Sequence, residues 1–283
     1  MNFIAANDAM AQPAADRING SLRTRVLSAL VLLPVVLGLL YVGGLGFALL
    51  LALAAVLMAG EWDRLTGGTG YGPLGMASAL ALLVVLVLGY FGHPDWALFT
   101  LMPAALIVAG VSRIGERAML WPVLGLFWLA LPCLALLWLR RGDSGMLAVS
   151  WLFLAVWSCD TGAYFAGRAI GGPKLAPRVS PKKTWAGLLG GIILAAAVSA
   201  LLAVVLGQRG TLLFAFLGAL MALISQCGDL AESALKRHFD AKDSGALIPG
   251  HGGILDRVDG VLFAAPALAL VALAPTLGVL PWQ

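Results

Sequence analysis

The sequence predicts an all-α fold, a polytopic integral membrane helical bundle of about nine transmembrane helices with a polar active site at its cytoplasmic face. Three observations predict it. Of 283 residues, 61% are hydrophobic and only 11% charged, against about 25% charged in an average soluble domain. Apolar stretches close to the ~20 residues that a span requires follow one another along the chain. The remaining charge is gathered: six charged residues lie between Asp160 and Lys183 and ten between Asp229 and Asp259, half of the 18 basic and 14 acidic residues together. Charge beside or within membrane spans usually marks function or a partner.

The apolar runs, bounded by Gly, Pro or charge, fall at about residues 26–42, 45–60, 74–91, 96–111, 119–139, 146–166, 185–206, 211–228 and 261–280. The first follows a polar, Ala-rich segment and is longer than the apolar part of a cleaved leader, so it reads as a retained helix. The second and fourth are short for a span and read as tilted or re-entrant pieces, whereas the third, fifth and sixth reach span length. The seventh carries Gly187 and Gly191, a small-xxx-small face suited to close packing within the chain or across a dimer. The eighth reads as continuing out of the membrane to Arg237, and the ninth opens just after Asp256-Arg257-Val258-Asp259. The chain thus divides into a polar segment (1–25), amino-terminal transmembrane helices (26–154) and a catalytic transmembrane region (155–283) with loops 167–184 and 229–260.

Lys and Arg in short loops set orientation. Arg17, Arg23 and Arg25 precede the first helix, and Arg168, Lys174, Arg178, Lys182 and Lys183 fill the loop 167–184, so both are expected in the cytoplasm. With nine spans, 229–260 reaches the same face and Gln208-Arg209-Gly210 lies outside. The expected location is the plasma membrane of a bacterium. A net charge of +4 is too small to argue for nucleic acid. Cys133, Cys159 and Cys227 lie in or beside apolar runs and read as small hydrophobes, without zinc spacing or a disulfide framework.

On an eighth helix that leaves the membrane, Ser225, Asp229, Glu232 and Lys236 share one face at spacings of three and four; the plainer reading is a solvated helix end with a Glu232–Lys236 pair. Lys242-Asp243-Ser244-Gly245 and Pro249-Gly250-His251-Gly252-Gly253 read as a loop that can bring backbone N–H groups to an anion, or as a plain turn. No Gly-Lys-Ser/Thr follows at P-loop spacing. His251 suits a base or a phosphate contact; His93 and His238 are assigned no role. Asp256 and Asp259 stand one turn apart at the mouth of the ninth helix, where the dipole favours acids and an acid is commonly a cap. Together with Asp229 they can converge on a hard cation such as magnesium, which takes carboxylates and substrate phosphates. Opposite them, Ser180, Lys182, Lys183 and Thr184 precede the seventh helix, an arrangement suited to phosphate. Lys174 and Arg178 read as ordinary cytoplasmic positive charge. Asp160, inside an apolar helix, costs about 2.5–3.5 kcal/mol on insertion scales when unpaired and so requires a partner or a ligand.

Taken together, Ser233, Lys236-Arg237, Lys242-Asp243, Gly245, Pro249, His251-Gly252-Gly253, Asp256-Arg257 and Asp259 resemble the 27-residue signature of the phosphatidate cytidylyltransferases, the CDP-diacylglycerol synthases. Asp160-Thr161-Gly162-Ala163-Tyr164 and the stretch 180–187 resemble further blocks of that family, although Ala186 stands where many relatives carry a larger polar residue. The resemblance is specific over about 155–260 and only hydropathic before that. It implies a helical membrane enzyme, often a homodimer, that joins CTP and phosphatidic acid into CDP-diacylglycerol and pyrophosphate with Mg2+, and with room for a second, monovalent cation such as K+. It implies Asp229, Asp256 and Asp259 as metal ligands, with Lys236, Arg237 and His251 as further catalytic groups. Ser180, Lys182, Lys183, Thr184, Lys242, Asp243, Arg257, Gly252, Gly253 and Asp160 are then expected around the substrates. Attack of one phosphate on another brings two anions together, so such a site must neutralise charge and align the groups.

Other classes fit less well. A secondary transporter would place its polar groups near the bilayer midplane in two related halves, whereas here they lie at one predicted face of the second half. The Asp-Gly...Ala-Arg...Gly...Asp...Asp arrangement of a CDP-alcohol phosphotransferase is absent, a polyprenol kinase would prefer ATP, and a scaffold needs no clustered acids.

Overall fold

The computed structural model describes residues 14–247 and 252–273. Among them run nine α-helices and one short hairpin: α1 (Ala14–Val42), α2 (Gly44–Leu65), α3 (Pro73–Tyr90), α4 (Pro94–Ile114), α5 (Leu120–Arg141), α6 (Gly145–Ala169), β1 (Lys174–Ala176), β2 (Ser180–Thr184), α7 (Trp185–Val205), α8 (Thr211–His238) and α9 (Leu255–Ala272). Each helix coincides with one apolar run. Seven, α2 to α8, are long and apolar enough to cross a membrane; α1 adds the shorter apolar stretch Leu30–Val42, and α9 opens with Asp256, Arg257 and Asp259 before its apolar residues.

Three expectations are corrected in detail. The runs 45–60 and 96–111 understate α2 and α4, which reach 22 and 21 residues. In α2 the hydrophobic run stops at Glu61, yet the helix continues because Glu61 and Asp63 are buried with partners: Asp63 pairs with Arg117 and accepts the Gly70 N–H at 2.8 Å. The segment 167–184 is not simply a loop, since α6 runs to Ala169 and β1 and β2 pair antiparallel, Lys174 opposite Thr184 and Ala176 opposite Ser180. Likewise α8 extends to His238 and α9 begins at Leu255, so helix covers both ends of 229–260.

Helices α2, α3, α4 and α5 pack together, as do α6, α7 and α8, and α9 packs against both α8 and α5. Trp128 of α5 meets Phe263 of α9 edge-on at 4.9 Å, and Trp121 lies 4.7 Å from the His238 ring at the end of α8. Between α6 and α7 the approach depends on small residues. A Cβ at Gly187 would stand 2.9 Å from the Ala163 carbonyl oxygen, and one at Gly191 would stand 2.7 Å from that of Cys159. The small-xxx-small face is therefore used within the chain. Phe99, Leu106 and Ile107 of α4 and Leu189 and Ile193 of α7 point outward, as lipid requires.

Helix ends in lipid need partners for their last carbonyls. Two adjacent arginines at the end of α5 supply them to two other helices. Arg140 donates to Leu40 O at 2.8 Å and Tyr41 O at 3.0 Å of α1, and Arg141 donates to Gly89 O at 2.9 Å and Tyr90 O at 2.6 Å of α3.

Candidate active site

At one end of the bundle, β2, α6, α8 and α9 bring their polar residues together in two adjoining networks. The first is open. Lys183 of β2 projects its ammonium to Asp229 Oδ2 at 2.6 Å and to Gln226 Oε1 at 3.1 Å, and the Gln226 amide donates to Asp160 Oδ1 of α6 at 3.3 Å. Ser233 donates to Asp229 Oδ1 at 3.3 Å. Asp259, ahead of the apolar part of α9, lies near enough for electrostatic interaction with both Asp229 and Asp160; burial, and then the Asp229 carboxylate, push its pKa well above the usual carboxylate range. Lys183 thus pairs with Asp229 and acts on Asp160, while the cation that acts on Asp259 is Lys236.

The second network is buried. Lys236, its side chain 13% exposed, is held between Glu232 Oε1 at 3.1 Å and Asp256 Oδ1 at 2.6 Å. Asp256 Oδ2 accepts the N–H of Ser244 at 2.9 Å, the Ser244 hydroxyl at 2.9 Å and the N–H of Gly253 at 3.0 Å. Burial works against its ionisation, but these donors and Lys236 together hold its carboxyl below the usual range. Glu232 is 1% exposed, and its Oε2 has no hydrogen-bond partner among the described residues. Beneath this network, Glu61 of α2 accepts the N–H groups of Ile254 and Leu255, each at 2.9 Å.

The sequence-predicted residues are therefore divided between the networks. Asp160, Lys183, Asp229 and Asp259 come together in the open one, and Asp256 and Lys236 belong to the buried one. Among the described residues no three His, Cys, Asp or Glu side chains form a ready ligand set, so Asp229, Asp256 and Asp259 are not gathered as a triad. The carboxylates of the open network are oxygen donors of the kind a hard cation takes, with Lys183 competing for Asp229. Thr184 is buried and caps α7, accepting the Gly187 N–H at 3.1 Å. Arg237 donates to Val179 O at 3.4 Å and Ala241 O at 3.2 Å, linking α8 to the hairpin. Ser180 is half-buried, while Lys182, Lys242, Asp243 and Arg257 are exposed around the site. Gly252 has a φ of +88° that favours glycine. The anions met by the N–H groups from Gly253 to Leu255 are the protein's own carboxylates. His251 lies outside the described residues.

Sequence reasoning missed Gln226 and Glu61. The signal for Gln226 was the one used for Asp160, an amide buried in an apolar helix. Glu61 gave no comparable signal, because its partners lie 183 to 194 positions away.

A model of the cytidylyltransferase family matches residues 23–274. The phosphatidate cytidylyltransferase of Brucella suis biovar 1 (strain 1330) is 42% identical over 255 residues, covering 88% of this chain and 93% of that protein. The phosphatidate cytidylyltransferase of Pseudomonas aeruginosa is 36% identical over 262 residues, covering 88% and 96%. That of Haemophilus influenzae is 34% identical over 278 residues, covering 87% and 96%.

Proposed function

The chain belongs to the cytidylyltransferase family, and on that premise we propose that its two polar networks are the site at which CTP and phosphatidic acid become CDP-diacylglycerol and pyrophosphate. It is a membrane-embedded nucleotidyltransferase. A phosphatidate oxygen attacks the α-phosphorus of CTP, one P–O bond forms, and the bond to pyrophosphate breaks. The observation that carries this reading is the meeting of Lys183, Asp229 and Asp160 from three separate elements at one end of the bundle.

In this reading the residues bind and orient. Lys183, held in place by Asp229 and Gln226, is poised to turn to a phosphate, and Lys182, Lys242, Arg237 and Arg257 provide the surrounding positive charge. Asp229 and Asp259 would hold a divalent cation, with Asp160 near them, and magnesium bound there would supply charge neutralisation at the reacting phosphates. Lys236 and Asp256 keep the wall behind the site rigid. The site faces the cytoplasm of a bacterial inner membrane, the side from which CTP arrives, at the level of the lipid headgroups. The enzyme works as a homodimer whose contact uses a face other than Gly187 and Gly191, because α6 covers that one.

The test is release of labelled pyrophosphate from CTP by the purified protein in detergent, with phosphatidic acid and magnesium, beside an Asp259→Asn variant. Lipid-dependent release that the variant loses is expected. Release equal in the variant, or none from the intact protein, would reject the reading.

A further inference from the structure

We propose that Glu61, in the second helix of the amino-terminal half, is a positioning residue for the nucleotidyl transfer. The inference rests on the proposed function and adds a residue outside the segments that carry the family resemblance. Glu61 is 3% exposed, a burial that a carboxylate tolerates only when its lone pairs are met. They are met by the catalytic segment. Oε1 accepts the Ile254 N–H and Oε2 the Leu255 N–H, both at 2.9 Å, and the Ser244 hydroxyl stands 3.4 Å from Oε2. The first N–H groups of a helix have no partner within it, so Glu61 satisfies the start of α9 from another helix and from the other half of the chain.

The consequence passes to Asp256. Ser244 offers both its N–H and its hydroxyl to Asp256 Oδ2, and the Gly253 N–H reaches the same oxygen at 3.0 Å. Glu61 holds the Ile254–Leu255 end of this arrangement through two N–H groups, and the Ser244 hydroxyl, whose proton goes to Asp256, packs 3.4 Å from its Oε2. Glu61 thereby sets the direction of Asp256, the place of Lys236 against it, and the level from which α9 presents Asp259.

Two glycines of the signature acquire a reason. A Cβ at Gly245 would stand 2.9 Å from Glu61 Oε1, and one at Gly253 would meet Ser244 Oγ first and then stand 2.7 Å from Glu61 Oε2. At Gly245 the three nearest atoms all belong to the Glu61 side chain, and the backbone there has no positive φ. A side chain at Gly245 would therefore press on the buried carboxylate of Glu61.

The experiment uses the full chain in detergent with Glu61→Gln and Glu61→Ala, each with and without Gly245→Ala. Glutamine keeps the shape but turns an N–H donor toward a backbone N–H. In Glu61→Gln, kcat is expected to fall about 10- to 100-fold, the range for loss of a group that orients a catalytic residue, with KM for CTP changed less than about threefold. Hydrogen exchange of the Ile254 and Leu255 amides is expected to accelerate. Gly245→Ala should be costly with Glu61 present and nearly neutral in the Glu61→Ala background. An unchanged kcat or amide exchange in Glu61→Gln, or a Gly245→Ala effect equal in both backgrounds, overturns the proposal. Absence of lipid-dependent turnover by the intact protein would instead reject the assigned reaction, and amide exchange would still judge the clamp.

Discussion

Lys183, Gln226 and Asp160 show how a charged group is kept at a membrane face without losing its availability. The Lys183 ammonium has a carboxylate at 2.6 Å and an amide oxygen at 3.1 Å, so it is fixed in place yet can exchange either partner for a phosphate. Lys183→Ala is expected to lower kcat/KM by about 10²-fold, the scale for removing one preorganised donor to developing charge, as read from initial rates of pyrophosphate release. Gln226→Leu removes the amide that donates to Asp160 and should lower activity about tenfold, the equivalent of one hydrogen bond to a charged group. Lys182 and Lys183 looked alike in the sequence, since both precede α7 in a basic stretch. Only the strand register separates them: Lys183 points inward to α8 and Lys182 is exposed.

Among the elements, α6 and α7 depend on backbone proximity, and α1 and α3 depend on the arginines of α5. Gly191→Val places atoms where the Cys159 carbonyl oxygen now lies and should destabilise the protein by about 1–3 kcal/mol, the usual consequence of overpacking; a lower thermal midpoint in detergent checks it. Arg141→Ala leaves the Gly89 and Tyr90 carbonyls without this donor. It should cost about 1–3 kcal/mol, seen in the same melt, with KM for CTP unchanged because α3 stands away from the site. The existence of all nine helices was legible in hydropathy. Their ends were less so, because α2 carries Glu61 and Asp63 in helical conformation once tertiary partners meet them, backbone N–H groups for Glu61 and Arg117 for Asp63.

In the whole molecule, α9 joins the amino-terminal helices to the catalytic ones. Trp128 touches both Phe263 of α9 and Trp62 of α2, at centroid separations of 4.9 and 5.5 Å. Trp128→Ala is expected to destabilise by about 3–5 kcal/mol and to lower activity with it, measured as loss of monodisperse protein on heating alongside turnover. The sequence by itself determined that the chain is a helical membrane protein, that its polar chemistry is concentrated in two windows of the second half, and which family those windows resemble. Hydropathy and spacing suffice for that, because they are local properties of the chain. Tertiary structure alone decided which carboxylates share a network, that Asp256 serves the buried one, and that Glu61 of α2 reaches Ser244 and the start of α9. Such pairings join residues up to 194 positions apart. They follow from how helices pack, and no local pattern in the sequence records that.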